Sequence, residues 1–192
     1  LDDIIIASKT EEEHLVHMKE VFRRLNEHNI KLRLEKCQFF QSEIKYLGIL
    51  VDKNGIRSDP KYIDQIIRFK KPEGPKELER FIGMVTWIGR FIPNLSTLTA
   101  VLTENKNKDK WEWNKKHEES YQAIIKAVSK AEVLRHPDLS KPFYVQTDAS
   151  DYAIGAVLLQ DFGKGYLEPI EFGSRKLKKN EVNWHTSEKE LI

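Results

Sequence analysis

The sequence predicts an α+β protein, because the spacing of its apolar residues changes along the 192-residue chain. Residues 1–57 combine one helical pattern with extended stretches, and residues 58–140 contain mostly helical patterns. Residues 141–192 begin with the alternating apolar residues that are typical of strands. Hydrophobic residues make up 40% of the chain and charged residues 32%, which is the composition of a globular protein.

Composition also excludes several classes of protein. The longest apolar runs are far shorter than the ~20 residues that a membrane span needs. The single cysteine, Cys37, can form neither an internal disulfide nor a cysteine-based metal site, so we expect a reducing, intracellular compartment. The formal net charge of +2 is too small to indicate nucleic-acid binding unless one face is locally basic.

The N-terminal stretch mixes strand and helix patterns. The β-branched residues 4–6 predict a buried strand. Thr10 and Glu13 form a capping-box pattern, and the apolar residues that follow at helical spacing predict a helix over residues 11–27. The remaining predicted elements are an extended stretch at residues 30–34, a second one at residues 44–51 and a closing turn at residues 52–55.

The middle of the chain contains short helical patterns. Asp59 before Pro60 is a good helix N-cap with proline in the first turn, and Asn114 caps a later helix. A polar linker covers residues 104–110. The first predicted helix runs from Asp59 to Pro72, and the second follows an apolar stripe that begins at Leu78 and is stopped by Pro93. The third runs from Ser96 through Leu102, and the fourth runs from Asn114 and ends before Pro137.

Antiparallel strands are predicted in the last part of the chain. Strand patterns cover residues 143–147, 153–160 and 167–174, with a glycine-containing turn between the last two. A helix is predicted to begin at Thr186 and to continue to Ile192. The predicted order is therefore a three-stranded meander followed by a helix.

Asp2 and Asp3 are the first candidates for chemistry. Adjacent carboxylates repel each other, and a divalent cation that neutralises them offsets this cost. An Asp-Asp pair is also typical of a solvated turn. The pair alone leaves both interpretations open.

Several motifs in this order resemble one family of enzymes. They are Leu-Asp-Asp at residues 1–3, Lys-Cys-Gln-Phe at residues 36–39 and Lys-Tyr-Leu-Gly at residues 45–48. Together they are similar to the palm of a reverse transcriptase from a long-terminal-repeat retrotransposon of the gypsy (Ty3-like) type. In that family the two aspartates follow an aromatic residue and one further residue on a palm hairpin, and the aromatic residue would lie before Leu1.

The resemblance assigns two further regions. Leu47, Gly48 and Ile49 resemble the primer grip, the hairpin that holds the primer 3′ end against the catalytic aspartates, and an ordinary β-hairpin has the same pattern. Residues 81–94 resemble the thumb segment that lies along the primer-template duplex. Because the apolar stripe of this segment is expected in the core, the candidates for phosphate contacts are Lys76, Arg80 and Arg90.

Asp148 and Glu190 resemble the first two catalytic carboxylates of retroelement ribonuclease H. An acid in a strand with alternating apolar residues is costly unless it binds a metal or a partner. In the family the aspartate lies in the first strand, and the glutamate lies on the helix after a three-stranded meander. Two alternatives stay open, since Ser187 and Glu190 also form a capping-box pattern and Glu188 is a rival metal ligand.

The resemblance implies an internal part of a Pol polyprotein that contains an RNA-directed DNA polymerase with ribonuclease H. The implied fold is the end of the palm and the helical thumb of a right-hand polymerase, followed by the start of a ribonuclease H-like mixed sheet. The implied domains are the C-terminal part of the palm at residues 1–57, the thumb at 58–103, a linker and tether helix at 104–140, and a truncated ribonuclease H-like domain at 141–192.

The resemblance also implies cofactors and partners. Mg²⁺, or Mn²⁺ in its place, would be held by Asp2, Asp3, Asp148 and Glu190 for two-metal phosphoryl transfer. The partners would be an RNA template, a DNA primer, RNA–DNA hybrids and, in the full enzyme, deoxynucleoside triphosphates, in a cytoplasmic particle or in the nucleus. Further aspartates would be needed upstream of Leu1 and beyond Ile192. The open alternative is a non-catalytic nucleic-acid-binding or interaction module derived from such an element.

Overall fold

The computed structural model describes residues 3–106 and 111–190, except for the side chains of residues 106 and 186. The structure combines two three-stranded antiparallel sheets with six helices, so the predicted α+β class is confirmed for the described residues. The helices are α1 (Glu11–Glu27), α2 (Pro60–Ile67), α3 (Pro75–Trp87), α4 (Leu95–Lys106), α5 (Lys115–Val128) and α6 (Thr186–Glu190). The strands are β1 (Glu43–Tyr46), β2 (Ile49–Asp52), β3 (Gly55–Ser58), β4 (Tyr144–Ala149), β5 (Ala153–Asp161) and β6 (Leu167–Lys176). Among these helices, none combines the length and the apolar composition of a membrane-spanning segment.

The first helix, α1, has the bounds that the sequence predicts. The Thr10 hydroxyl accepts a hydrogen bond from the Glu13 backbone N–H at 3.2 Å, which begins the helix. Three glutamates in its first turn and Arg24 in its last turn complement the helix dipole. Met18 is its one buried residue, so most of its apolar stripe lies at the surface of the described chain.

The strands predicted at residues 4–6 and 30–34 are absent. Residues 4–6 and 30–33 are irregular, and the second segment ends in a 3₁₀ turn at Leu34–Lys36. Ile4 is 55% exposed rather than buried. A strand needs a hydrogen-bonded neighbour, and within the described part of the chain no strand lies beside either segment.

The first sheet is a meander of β1, β2 and β3. Leu47 and Gly48 connect β1 to β2, with φ values of 46° and 81°. A two-residue turn with both residues in the left-handed region matches the twist of an antiparallel pair. The Asp52 carboxylate accepts hydrogen bonds from the Asn54 and Gly55 backbone N–H groups and so closes the next turn.

Helices α2 to α5, with the turns that connect α2 to α4, form the helical body and share one apolar core. Asp59 caps α2 as predicted, and Asn114 caps α5 in a capping box with His117. Helix α5 contacts both α2 and α4, so the predicted tether helix packs with the predicted thumb helices. Helix α4 extends to Lys106, into the predicted polar linker. The buried side chains of this core are Ile66, Leu78, Phe81, Val85, Ile88, Phe91, Ile92, Leu95, Leu102, Tyr121, Ile124, Val128 and Leu134.

The second sheet is the predicted meander of β4, β5 and β6, and its described strands are all antiparallel. Helix α4 packs against β5 and β6, and α6 lies against β4. The Ser96 backbone N–H donates to the Ser174 hydroxyl at 2.9 Å, which fixes the start of α4 on β6. The sheet that carries Asp148 is therefore attached directly to the helical body.

The segment after α5 joins the two sheets. The Leu134 backbone pairs with Ile56 of β3 in both directions. A Cβ on Gly55 would lie 1.9 Å from the Leu134 carbonyl oxygen, so this close approach requires glycine. Farther along, the fully buried amide of Gln160 accepts from the Asp138 N–H at 2.8 Å and donates to its carbonyl at 2.7 Å.

Candidate functional site

The predicted Asp-Asp pair is placed only in part. Asp2 lies outside the described residues. Asp3 is exposed and belongs to no helix or strand, and the irregular residues 4–6 follow it. Of this pair, the described part of the chain therefore shows Asp3 alone, and it shows that residue outside regular structure.

The predicted primer grip forms the tight turn between β1 and β2. Leu47 is 55% exposed at its tip, whereas Ile49 packs against the helical core. A Cβ on Gly48 would lie 3.1 Å from the indole Nε1 of Trp87, at the end of α3. The turn thus presents one apolar side chain to solvent and rests on Trp87.

Trp87 is a further candidate for contact with a binding partner, and no sequence motif pointed to it. The four tryptophans are scattered along the sequence, and this spacing gave no reason to single one out. Trp87 is 60% exposed, and it falls outside the buried stripe of Leu78, Phe81 and Val85. A large aromatic residue off the buried face of an amphipathic helix was the available signal.

An ion pair ties the first sheet to the helical body. The Lys45 ammonium lies 2.6 Å from a carboxylate oxygen of Asp59, the N-cap residue of α2. The Lys61 backbone N–H donates to the other oxygen at 2.9 Å. The hydrogen bond from Lys45, followed by that from Lys61, lowers the pKa of Asp59 below its usual value. The carboxylate thus caps a helix and anchors β1 beside the primer-grip turn.

The three predicted phosphate contacts differ in their surroundings. Lys76 is exposed in the first turn of α3. Arg80 lines an open groove of about 620 Å³ between α2 and α3, with its guanidinium 5.9 Å from the centre of the Phe69 ring. Arg90 instead forms an ion pair with Glu171 of β6 at 3.5 Å. Lys76 and Arg80 therefore face open surface, whereas Arg90 joins the body to the second sheet.

Asp148 lies on β4 with its carboxylate exposed. It stands opposite Gly155 of β5 in the antiparallel register. The side-chain amide of Asn94, just before α4, donates to the Asp148 Oδ2 at 3.2 Å. The candidate carboxylate is thus held by a strand and contacted by the helical body.

Helix α6 places its two glutamates in different roles. The Glu188 carboxylate accepts from the His185 backbone N–H at 2.9 Å and so caps the helix. The capping role that the sequence allowed for Glu190 therefore falls to Glu188, whereas Glu190 is exposed. Between them, Lys189 is 6% exposed and pairs with Asp151, after β4, at 3.5 Å. Asp151 is exposed, so this pair links the buried ammonium of Lys189 to the surface beside the strand that carries Asp148.

The donor chemistry of Asp148 and Glu190 suits a hard divalent cation, because Mg²⁺ and Mn²⁺ prefer carboxylate oxygens. These two carboxylates alone do not make a complete metal site. Within residues 3–106 and 111–190, no three His, Cys, Asp or Glu side chains converge as a metal site would require. Any metal bound here would need ligands in addition to these residues.

Two families of sequence match the chain. Residues 1–51 match the reverse transcriptase (RNA-dependent DNA polymerase) family, and residues 113–192 match the RNase H-like domain found in reverse transcriptase. The Tf2-3 and Tf2-7 transposon polyproteins of Schizosaccharomyces pombe are each 36% identical over 193 aligned residues. The alignments cover the whole chain but only 14% of each polyprotein.

Solved structures match the fold over nearly the whole chain. The foamy viral protease-reverse transcriptase in complex with an RNA/DNA hybrid aligns with a TM-score of 0.82 and 24% identity. The alignment covers 96% of this chain and 25% of the viral one. The same viral protein in complex with double-stranded DNA aligns with a TM-score of 0.80 over 95% of this chain and 38% of that chain. The fold is thus that of a reverse transcriptase.

The sequence matches make this class more specific. The chain belongs to the reverse transcriptase and RNase H-like region of retrotransposon Pol polyproteins of the Ty3/gypsy type. It spans about one seventh of the length of the curated polyproteins that it matches.

Proposed function

We propose that this chain forms part of an RNA-directed DNA polymerase that copies retrotransposon RNA and cuts the RNA strand of RNA–DNA hybrids. The observation that carries the proposal is the position of Asp148 on the first strand of an antiparallel meander, with the helix of Glu190 packed against that strand. The proposed domains are the end of the palm (residues 1–57), the thumb (58–103), a linker and tether helix (104–140) and the start of ribonuclease H (141–192). The protein would act inside the cell, in a cytoplasmic particle or in the nucleus.

The proposed ligands of the divalent cations are carboxylates. Asp148 and Glu190 would hold the metal for RNA cleavage, and Asp2 and Asp3 would hold the metal for DNA synthesis. The chemistry that a cation bound there would supply is activation of the attacking oxygen and stabilisation of the leaving oxygen. The strand pairing of β4 fixes the backbone that carries Asp148, and the Lys189–Asp151 ion pair links α6 to the residues that follow this strand.

The surface of α3 and the β1–β2 turn is the proposed path of the primer-template duplex. Leu47 and Trp87 offer apolar surface at the turn, and Lys76 and Arg80 offer positive charge along α3. Contacts of this kind with sugars and phosphates hold a duplex without reading its sequence. The proposed partners are an RNA template, a DNA primer and their hybrid, with deoxynucleoside triphosphates in the full enzyme.

Reciprocal substitutions in the full-length Pol protein test this proposal. Asp148→Asn should abolish cleavage of the RNA strand and leave primer extension intact, because the polymerase carboxylates lie in another domain. Asp2→Asn or Asp3→Asn should abolish extension and leave cleavage intact, with duplex binding little changed. Cleavage at the parental rate by Asp148→Asn, or extension at the parental rate by both of the other variants, would contradict the assignment.

The chain by itself provides a second test. We expect purified residues 1–192 to extend no primer on an RNA template, since at most two polymerase carboxylates are present. Measurable extension would show that no further parts are needed. Hybrid binding by a full-length protein that neither extends nor cleaves would instead favour the non-catalytic module.

A further inference from the structure

The turn that precedes α4 reaches from the helical body onto the second sheet. Asn94 has a φ of 50°, in the left-handed region that asparagine adopts more readily than most residues. Two residues later the Ser96 N–H bonds to Ser174, and the Thr97 hydroxyl lies 3.2 Å from the Ser150 hydroxyl. This turn and the first turn of α4 thus make three such contacts, and the contact of Asn94 is with Asp148 on the candidate catalytic strand.

The Asn94 side chain occupies the space that Gly155 leaves open. A Cβ on Gly155 would lie 1.8 Å from the Asn94 Oδ1 and 2.9 Å from its Cγ. Gly155 is the cross-strand neighbour of Asp148, so the amide sits over this pair of residues. Any larger residue at position 155 would have to displace the amide.

We propose that Asn94 is a positioning residue for Asp148, an inference that rests on the proposed ribonuclease H function. Its amide N–H donates to one carboxylate oxygen, Oδ2, at 3.2 Å. This bond restricts rotation of the carboxylate, and the other oxygen stays available to a divalent cation. Groups that hydrogen-bond to metal ligands fix their orientation in this way and raise metal affinity.

The position of Asn94 in the chain gives this contact its importance. Asn94 belongs to the segment assigned to the thumb, 54 residues before Asp148. The proposed polymerase half therefore supplies a group to the proposed cleavage site. A ribonuclease H-like domain detached from the helical body would lack this hydrogen bond.

Three variants of the full-length Pol protein test the inference. Asn94→Gly removes the amide and suits the positive φ, so the backbone stays unstrained. Gly155→Ala keeps Asn94 but places a methyl group where its amide lies. Thr97→Val is the matched control, because it removes a hydrogen bond of the same length across the same interface without touching Asp148.

Metal binding is the decisive measurement. Mn²⁺ binding is followed by electron paramagnetic resonance, and the binding that Asp148→Asn loses is assigned to the cleavage site. We expect Asn94→Gly and Gly155→Ala to weaken this binding roughly 10- to 100-fold. The Mg²⁺ concentration for half-maximal cleavage should rise by a similar factor, while the KM for the hybrid stays constant. Thr97→Val should match the parent in all three measurements.

The double variant Asn94→Gly/Gly155→Ala sharpens the test. Once the amide is gone the methyl group displaces nothing, so we expect no loss beyond that of Asn94→Gly. Parental Mn²⁺ affinity in Asn94→Gly, or an equal loss in Thr97→Val, would overturn the role of Asn94 while leaving the proposed function standing. Parental cleavage by Asp148→Asn would overturn the proposed function itself, and this inference with it.

Discussion

Residues 3–40 and the helical body differ in how they use their apolar side chains. The N-terminal stretch has a well-capped helix, yet Met18 is its one buried apolar residue. The helical body has shorter helices, and their apolar faces meet in a core that includes the fully buried Phe81 and Ile124. The difference shows that an amphipathic pattern specifies a helix without specifying what covers its apolar face.

The candidate catalytic residues near the two ends of the chain, Asp3 on one side and Asp148 with Glu190 on the other, also differ in their surroundings. Asp3 lies in the N-terminal stretch, is exposed, and belongs to no helix or strand. Asp148 and Glu190 lie on a strand and a helix that pack against each other, and Asn94 of the body contacts the first of them. In the described chain, therefore, only the second end carries its own scaffold.

The largest expected effect concerns the core. Phe81→Ala should lower the free energy of unfolding by about 3–5 kcal/mol, because it empties a fully buried site. Phe22→Ala, in α1, should cost about 1 kcal/mol or less, since Phe22 is 38% exposed. Urea unfolding of the 192-residue chain measures both. Equal losses would remove the distinction between the two regions.

The next effect concerns the assignment of two glutamates on α6. In the full-length protein, Glu190→Gln should lower RNA cleavage roughly 100- to 1,000-fold, because it removes a charge proposed to bind metal. Glu188→Gln should cleave at close to the parental rate, since glutamine also accepts the N–H of His185. If the rates of the two variants were exchanged, Glu188 would be the metal ligand and Glu190 would not.

A smaller effect is expected on hybrid binding. Lys76→Ala and Arg80→Ala should each reduce affinity, and each should lower the slope of log K against log salt by about one unit. Arg90→Ala is the comparison. Because the Arg90 guanidinium already pairs with Glu171, we expect this substitution to leave the slope unchanged. Fluorescence anisotropy over a range of salt concentrations checks this. A slope change in Arg90→Ala alone would move the proposed duplex path toward the second sheet.

The smallest effect concerns the joint between the first sheet and the body. Lys45 lowers the pKa of Asp59 in the folded protein below its value in the unfolded chain. The ionised form therefore contributes stability that is fully present above the unfolded pKa and is lost as the pH falls through the folded pKa. Asp59→Asn should keep the helix cap but lower stability at pH 7 by about 1 kcal/mol, with a smaller loss between pH 5 and pH 2 than in the parent.

A control for this prediction lies on the same helix. Asp64 is an exposed carboxylate that pairs with Arg68 along α2, and an exposed pair of this kind contributes about 0–1 kcal/mol, so Asp64→Asn is the control. Thermal melts over a series of pH values compare the two variants with the parent. A parental acid profile in Asp59→Asn would show that the Lys45 pair contributes nothing measurable.

Much of the fold could be predicted because its determinants are local. Thr10 and Asn114 cap their helices as their sequence neighbours indicate, and the alternation after residue 140 predicts the second meander. The prediction of strands at residues 4–6 and 30–34 was wrong, because strand pairing depends on neighbouring strands that a local sequence pattern does not specify. Local sequence therefore predicted helices better than strands here.

The candidate site divides in the same way. Sequence motifs were enough to select Asp148 and Glu190, whose assignment stays a prediction. The motifs could not indicate that Asn94 would reach Asp148, that Arg90 would pair with Glu171, or that Trp87 would lie under the Gly48 turn. Each of these contacts joins residues that are distant in sequence, so only the folded chain reveals them.

The pairing of Leu134 with β3 has a consequence for synthesis on the ribosome. Arg135, beside Leu134, donates to the Asn54 carbonyl, 81 residues earlier in the chain. At a translation rate of roughly 5–20 residues per second, the outer edge of β3 stays unpaired for about 4–16 s until this partner has been synthesised. An unpaired strand edge is a template for association with other nascent chains during that interval. The closing contact at Gly55 ends that exposure.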